Sequence, residues 1–556
     1  MVSPRVLTSL RRAAQTVLLL LFLGLLLLAR PTPGAEPAPW WWKAFFWFDP
    51  LLLIATWLAA HAVPLAALAA CGTIVLTVLL GRVFCGWICP LGTVHAAAGW
   101  VIDRVWPNRK RRDHWSPWQR GKYYLLAGCL AMAVFGGRWV TIFDPLVLLY
   151  RSVTTAVVPG VQWVAEEGST AIYQADPGIK RWRVTAVTEP AYQFLRERVF
   201  VTPRQAFLGG GVILAFFVAT VILNAYRRRF WCRYLCPLGA LLGLFAWRPL
   251  LRRHTAAEDC TQCDLCARSC HGAAGIGKGD QWVASECLAC FRCSGDCPRT
   301  SLGFTWAAPW RRQPAVATVD LSKRSLLASL VGGIAGLWLM RANPQSRGSV
   351  HHPALIRPPG ARAETDFLAR CTACGLCMKV CPTGGLHPAW TEAGLEGLWT
   401  PRLVPQVGHC DYTCTLCGQV CPTQAIVPLT VQEKQQVRIG LASFDTTRCL
   451  PYAYGRDCMV CEEHCPIPDK AIYSVPVEVT RHDGQKAVVK QPRVDATKCI
   501  GCGVCEHVCP FRDRPAIRVS SANETRTPAA AGRPGNQPIL PDAAGDEDPY
   551  GSGPGV

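Results

Sequence analysis

No Cys-x2-Cys-His occurs in these 556 residues, so the chain has no site for covalent haem attachment. The nearest approach, Cys266-Ala-Arg-Ser-Cys270-His271, is one residue too long. No Gly-x-Gly-x-x-Gly follows a strand pattern and no P-loop is present, which removes nucleotide-driven hydride and phosphoryl chemistry. The run Gly209-Gly210-Gly211 stands in an apolar stretch and reads as a helix-packing feature. Acidic residues are scarce, with 38 Asp and Glu against 58 Lys and Arg and a formal charge of +20. Nucleic acid is not the implied partner, because the arginines flank apolar runs, where the positive-inside rule accounts for them. Between residues 520 and 556 large apolar residues almost vanish, so this tail is expected to be disordered.

Cysteine is what the chain has in excess. Twenty-four of its 30 cysteines fall into six sets of four. They are Cys260, Cys263, Cys266 and Cys270; Cys287, Cys290, Cys293 and Cys297; Cys371, Cys374, Cys377 and Cys381; Cys410, Cys414, Cys417 and Cys421; Cys449, Cys458, Cys461 and Cys465; and Cys499, Cys502, Cys505 and Cys509. Most read Cys-x2-Cys-x2-Cys-x3-Cys, and five close with Cys-Pro. In the bacterial ferredoxin run, three such thiolates hold one [4Fe–4S] cluster and the fourth serves its neighbour. Zinc sites do not need the third cysteine or the Cys-Pro, and disulfide frameworks belong to short secreted chains. The proline has no N–H to donate and fixes φ where the chain leaves the cluster.

Three sets depart from the pattern. Cys270 is followed by His271, Cys410 and Cys414 enclose three residues, and Cys449 and Cys458 enclose eight. A longer first loop still delivers a thiolate, so six [4Fe–4S] clusters are expected. A row of clusters serves to move single electrons. By the exchange rule, Cys297 joins Cys260, Cys263 and Cys266, while Cys270 joins Cys287, Cys290 and Cys293. In the C-terminal half a nested pairing is expected, the first set with the fourth and the second with the third.

Half of the residues are hydrophobic and mean hydropathy is +0.17, which points to a membrane portion. The first apolar run, residues 13–29, follows Arg11 and Arg12 and reads as a span or as a cleaved signal peptide. Trp40, Trp41, Trp42 and Trp47 read as an interfacial belt outside the cytoplasm. Further spans are expected at 63–80, 123–140 and 207–226. Arg82, Arg104, Arg109, Lys110, Arg111 and Arg112, and then Arg227, Arg228 and Arg229, mark the cytoplasmic ends. Four spans place residues 260–297 in the cytoplasm.

This portion is an internal duplication. Phe48-Asp49-Pro50-Leu51 recurs as Phe143-Asp144-Pro145-Leu146. The stretch from Arg82 to Gly92, with Cys85 and Cys89, recurs from Arg229 to Gly239, with Cys232 and Cys236. Asp followed by Pro suits an N-cap and first helical position; the alternative is a carboxylate that takes protons at a quinol site. His61 and His95 read as packed or hydrogen-bonded residues. Cys71 and Cys129 read as small buried hydrophobes. Pseudo-symmetry brings Cys85, Cys89, Cys232 and Cys236 to one membrane face. There they could hold a seventh iron–sulfur cluster or another metal, form two redox dithiols, or serve structure alone.

Between the two cysteine-rich parts, Ser322-Lys323-Arg324-Ser325-Leu326-Leu327 leads into an apolar run ending at Met340. Its form is that of a twin-arginine signal with Lys323 in place of the first arginine. A short buried helix is the alternative.

Residues 40–300 resemble the NapH-type membrane ferredoxins, related to NosR and CcoG-like polyferredoxins, through the paired Cys-x3-Cys-Pro-Leu-Gly motifs and the two cysteine sets that follow. Residues 320–520 resemble the MauM/NapG-type four-cluster ferredoxins, through the Ser-Lys-Arg-Ser-Leu-Leu stretch and four cysteine sets, including Cys371-Thr-Ala-Cys-Gly-Leu-Cys-Met-Lys-Val-Cys-Pro. The chain thus resembles a fusion of the two. The expected fold is an α-helical membrane domain, duplicated and of about four spans, followed by α+β ferredoxin-like cluster domains. The expected domains are a membrane domain at 1–250, a two-cluster ferredoxin at 251–305, a linker with the apolar helix at 306–360, a four-cluster ferredoxin at 361–519 and the tail at 520–556.

The resemblance implies a membrane-bound electron-transfer protein, a possible quinol dehydrogenase component. It would take electrons from quinol, or from a cytoplasmic donor, to an extracytoplasmic acceptor protein. It would sit in the inner membrane as a multi-pass protein, with the four-cluster domain outside the cytoplasm. A redox maturation or regulatory factor is the alternative.

Overall fold

The computed structural model describes residues 3–30, 37–62, 65–106, 114–175, 178–179, 182–183, 185–198, 206–256, 258–275, 282–308, 316–317, 321–342, 352–481 and 484–525. The basic stretch 109–112 and most of the expected disordered tail lie outside these residues. The chain divides into two compact units. Residues 1–28, 40–156 and 210–339 form the first, and residues 29–39, 157–209 and 340–556 form the second.

The first unit is mainly helical. Helix α1 (Pro4–Leu28) has 25 residues, buries Phe22 and Leu26, and leaves Val17, Leu20 and Leu21 exposed. Among the described residues it is the one helix long and apolar enough to cross a membrane. A second apolar segment, Trp40–Trp47 with α2 (Pro50–Ala60), is bent by 90° at its break. The break is chemical. Asp49 caps α2, its carboxylate accepting from the Leu51 and Leu52 N–H groups at 2.9 and 3.3 Å, with Pro50 at the first helical position. Asp144 repeats this at α6 (Pro145–Ser152), accepting from Leu146 and Val147 at 2.9 Å each. Both aspartates are buried with their carboxyl groups close enough to interact electrostatically, so the caps of the two halves of the repeat lie near each other.

The four-span expectation is not supported. The expected spans at 63–80, 123–140 and 207–226 form α3 (Ala69–Leu80), α5 (Gly121–Val134) and α7 (Gly210–Ile222), of 12, 14 and 13 residues. A straight span needs about 20. Each run is cut by its own residues. A separate tight turn, Leu65–Leu68, precedes α3. Gly136 turns left-handed after α5. Gly209 is left-handed before α7, and residues 223–225 tighten into a 3-10 turn after it. Gly209 therefore lies outside the helix expected for the triple-glycine run. Its conformation and the Trp390 ring lying against it both require glycine.

Helix α4 (Pro90–Val105) and helices α8 (Phe230–Tyr234) and α9 (Pro237–Phe245) complete the duplicated core. Helix α10 (Lys323–Arg341) contains the twin-arginine-like stretch. It packs on α5 where Gly333 meets Gly128 backbone to backbone, an approach only small residues allow. His61 ends α2 in the left-handed region, exposed. Cys129 is buried as expected, but Cys71 is not. It stands on the exposed side of α3, where apolar periodicity alone does not say which face is covered.

Strands β1 (Leu251–Thr255) and β2 (Leu302–Trp306) pair antiparallel and bracket the first two cysteine sets. In the second unit the hairpin β3 (Leu386–Pro388) and β4 (Pro401–Leu403) lies between sets three and four. Strand β5 (Leu441–Phe444) pairs with β8 (Ile517–Ser520), enclosing sets five and six, which the long hairpin β6 (Ile472–Thr480) and β7 (Lys486–Val494) separates. The core here includes the cysteines themselves, among them Cys449, Cys461, Cys465, Cys499, Cys505 and Cys509 packed with Ile439, Ile472 and Ile517.

Candidate metal centres

In four of the six sets the backbone winds the same way around the second cysteine. The residues on both sides of it have positive φ: Gln262 and Asp264, Ala289 and Phe291, Ala373 and Gly375, Gly501 and Gly503. Five of these eight are not glycine, and such residues seldom adopt that conformation. Alternating right- and left-handed residues turn successive N–H groups inward and make an anion-binding nest. The two sets with lengthened first loops, at Cys410 and Cys449, lack this pair of turns.

Cys260, Cys263, Cys266 and Cys297 line one cavity. Cys270 stands with Cys287, Cys290 and Cys293. The fourth cysteine of each set thus crosses to the other. In the second unit Cys381 lines a cavity with Cys410, Cys414 and Cys417. Cys421 stands with Cys371, Cys374 and Cys377. Cys509 lines a cavity with Cys449, Cys458 and Cys461. Cys465 lies beside Cys499 and Cys502.

Exchange therefore runs between neighbouring sets, third with fourth and fifth with sixth, and the nested pairing is corrected. The hairpins explain it. β3–β4 and β6–β7 each fold the chain back on itself between two successive sets, so the nearest partner in sequence is also the nearest in space. The two pairs then join at one point, where the Cys410 N–H donates to the Cys502 carbonyl at 2.8 Å. The four sites of the second unit lie in series, with the Cys410 and Cys502 sites in the middle.

These groups fit an iron–sulfur cluster better than a single ion. Among the described residues no three Cys, His, Asp or Glu side chains close on one metal position. The thiols instead surround cavities that a larger group would fill. Without it, burial and then mutual repulsion push the thiols up: Cys505 through burial and its neighbours Cys502 and Cys499, and Cys377 through burial and Cys374 and Cys371. Thiolates so crowded need a cation between them.

The Cys-x3-Cys-Pro pairs also come together. Cys85, Cys89, Cys232 and Cys236 are all buried, and Cys236 lies within electrostatic reach of the other three. Each motif is built alike. A wide turn closes it, the Cys89 N–H donating to Phe84 O at 2.8 Å and the Cys236 N–H to Trp231 O at 2.9 Å. The second cysteine then caps a helix, with proline at its first position. Cys89 Sγ accepts from Gly92 N–H at 3.4 Å, and Cys236 Sγ from Gly239 N–H at 3.2 Å.

Gly239, which ends the second Pro-Leu-Gly, leaves room for Arg82, which begins the other copy, whereas Gly92 is in ordinary contact with Arg229 and is crowded by Cys85 O instead. A Cβ on Gly92 would lie 3.7 Å from Arg229 Nη1, and one on Gly239 would lie 2.5 Å from Arg82 Nη2. Arg82 and Arg229 are both buried; Arg82 Nη2 approaches Cys85 Sγ at 3.9 Å, and Arg229 Nη1 donates to Cys85 O at 3.0 Å. Sequence reasoning used these arginines only as topology markers. Their identical offset from the cysteines in both copies is the signal that separates them from surface charge.

This thiol site adjoins a ferredoxin loop. Trp87 Nε1 donates to Ala289 O at 2.9 Å, and Gly86 is so close to Leu288 O that a Cβ would lie 2.2 Å from it. Glu286, just ahead of Cys287, is buried. It takes hydrogen bonds from Arg82 at 3.2 Å, from Tyr123 at 2.9 Å and from Lys122. The loop of Leu288–Cys290 thus rests directly on Cys85–Trp87.

A family model described as a 4Fe-4S binding domain matches residues 62–112 and again 210–255, one match in each half of the duplication. A second model of the same description matches residues 367–387 and 492–512. The chain is 32% identical over 223 residues to the methylamine utilization ferredoxin-type protein MauM of Methylobacillus flagellatus, covering 37% of this chain and 88% of that protein. It is 39% identical to MauM of Methylorubrum extorquens, covering 36% and 88%. It is 36% identical to the ferredoxin-type protein NapG of Escherichia coli, covering 30% and 69%. No solved structure matches the chain.

Proposed function

The chain belongs to the family of ferredoxin-type proteins that includes MauM and NapG, iron–sulfur electron-transfer proteins with [4Fe–4S] domains, and from that premise we propose that it is a membrane-bound polyferredoxin that oxidises quinol. Electrons would pass from quinol, or from a cytoplasmic donor, to an extracytoplasmic acceptor protein. The reading extends the family by a fused NapH-like part, residues 40–300, anchored in the bilayer by α1. Six [4Fe–4S] clusters fill the six exchanged cysteine groups, each supplying a one-electron couple. The Cys-x3-Cys-Pro site is a seventh redox centre, a cluster or a pair of dithiols.

One observation carries the reading. The loop of Leu288–Cys290 is seated on Cys85–Trp87, so a redox site among apolar helices touches a ferredoxin site with no other element between them. Cys263 is exposed while Cys290 is buried, so the first unit has a ferredoxin site open to solvent and another against the helical core. That suits a conductor more than a store.

The test uses the full chain, purified anaerobically in detergent and oxidised. Addition of a reduced quinol should bleach the cluster absorbance and raise reduced-cluster spin signals to a large fraction of what dithionite gives. Reduction by dithionite with none by quinol would refute quinol oxidation and favour the maturation or regulatory role. Iron near six atoms per chain, in place of about twenty-four, would refute the cluster count. Reporter fusions after residue 520 test the proposal that residues 361–518 lie outside the cytoplasm. Activity of a cytoplasmic reporter alone would overturn it.

A further inference from the structure

The first unit contains a cavity of about 270 Å³ that electron transfer does not use. Its walls come from α1, α4, the start of α8 and the two ferredoxin loops. Five arginines line it, Arg12, Arg104, Arg228, Arg229 and Arg292, against the single carboxylate of Asp103. Asp103 is committed to Arg228, its Oδ2 accepting from Nε at 3.0 Å and Nη2 at 2.6 Å. Arg292 reaches Asp296 at 3.2 Å. The cavity therefore keeps a large positive excess.

Two buried side chains in its wall have nitrogens without partners. Arg229 is 1% exposed, and its Nε and Nη2 have no hydrogen-bond partner among the described residues. His95 is 0% exposed, and its Nε2 has none either. A buried guanidinium with two idle donors is costly unless something accepts from them. Arg229 also stands in the left-handed region at φ 49°, where arginine is seldom kept without a reason in the surroundings.

The hydrogen bonds decide which chemistry the site seeks. The Asn224 amide donates to Val221 O at 2.8 Å and to His95 Nδ1 at 2.7 Å. His95 Nδ1 is then an acceptor, and the ring proton sits on Nε2, where it is a donor. Burial, then the charge of Arg229, lowers the His95 pKa to about 3, so the ring is neutral and holds that single proton. Across the cavity Arg292 Nη1 donates to His271 Nε2 at 2.9 Å. The wall offers donors, and its one carboxylate is already occupied. A metal cation finds no ligand set here, and an apolar group would leave the donors idle.

We propose that this cavity binds a phosphate-class oxyanion, carried by a lipid headgroup or free in solution. The anion accepts from Arg229 and from His95 Nε2–H, and Arg12 and Arg104 hold it from the exposed rim. The volume leaves room for bridging waters. Both sources suit the position. Arg12 belongs to the helix that can cross a bilayer, and exposed Trp100 and Trp106 stand on and beside α4 as interfacial tryptophans do. The inference does not depend on what donates electrons to the chain.

The experiment is calorimetric titration of the full cluster-loaded chain in a phosphate-free, uncharged detergent. The probes are inorganic phosphate, short-chain phosphatidylglycerol and diacylglycerol of the same chain length. Saturable binding of phosphate equal to or tighter than phosphatidylglycerol assigns the free ion. Preference for phosphatidylglycerol, competed by phosphate and absent with diacylglycerol, assigns a headgroup. Arg229→Gln should weaken either by roughly tenfold or more, and Arg104→Gln, on the exposed rim and safe for folding, by several-fold. No saturable binding of either phosphate ligand overturns the proposal. So does wild-type affinity in Arg104→Gln and Arg12→Gln together, whatever happens to the Arg229 variant.

Discussion

Replacing Glu286 by glutamine should be among the most damaging isosteric changes in the first unit. Glu286 is 1% exposed and is the carboxylate that faces Arg82 and Lys122, themselves 1% and 0% exposed, with Tyr123 as third donor. The amide keeps the shape and can still accept from Tyr123. It removes the charge, leaving two buried cations facing each other in apolar surroundings. Breaking one buried ion pair by deleting a partner costs about 3–5 kcal/mol. With two cations stranded the upper end is expected, against a total domain stability of about 5–15 kcal/mol. For a unit of this size the unfolding midpoint should fall by roughly 6–20 °C.

The assay is thermal unfolding of the detergent-solubilised chain, followed by tryptophan fluorescence, with iron content measured in parallel. A double-mutant cycle makes the argument specific. Lys122→Met in the Glu286→Gln background should restore part of the loss, with a coupling of about 1–3 kcal/mol. A loss below about 1 kcal/mol for Glu286→Gln, or strict additivity in the cycle, would refute the view that this pair of charges holds the ferredoxin loop on the thiol site.

Cys381→Ser and Cys410→Ser should perturb the same reduced-cluster signal, while Cys421→Ser and Cys371→Ser perturb a different one; electron paramagnetic resonance decides, and a shared phenotype of Cys381 with Cys371 refutes the exchanged assignment. Gly333→Val should destabilise the α5–α10 contact by about 1–3 kcal/mol, since its Cβ would fall 2.3 Å from Gly128 O; an unchanged melting curve contradicts the packing described. Asp49→Ala should cost about 0.5–2 kcal/mol through loss of the α2 cap, and Asp49→Asn clearly less because the amide oxygen still caps; equal losses in chemical unfolding would mean that capping is not what Asp49 contributes.

The cysteine spacing made the cluster-binding character legible because the spacing is itself the geometry. Two residues between thiols let a single turn wrap one cluster, and that depends little on the rest of the fold. The duplication was legible because both copies keep Cys-x3-Cys-Pro-Leu-Gly, and both Asp-Pro elements are the caps their local chemistry demands. Helix lengths were less legible. Mean hydropathy over residues 123–140 or 207–226 does not register that a left-handed Gly136 or Gly209 ends or delays the helix. The exposure of Cys71 escaped for a related reason, since an apolar helix looks alike on every side.

By itself the sequence determined that the chain has 4Fe-4S ferredoxin character and that the helical part is built twice. These are carried by short cysteine motifs and by their recurrence along the chain. Tertiary structure alone decided that neighbouring sets exchange their fourth cysteine, that Cys410 and Cys502 join two pairs in series, and that Gly239 makes way for Arg82 of the opposite copy. It alone put the idle donors of Arg229 and His95 on the wall of one cavity. Such facts depend on where hairpins return the chain and on which polar groups burial leaves unanswered, and both follow from contacts between residues far apart in sequence.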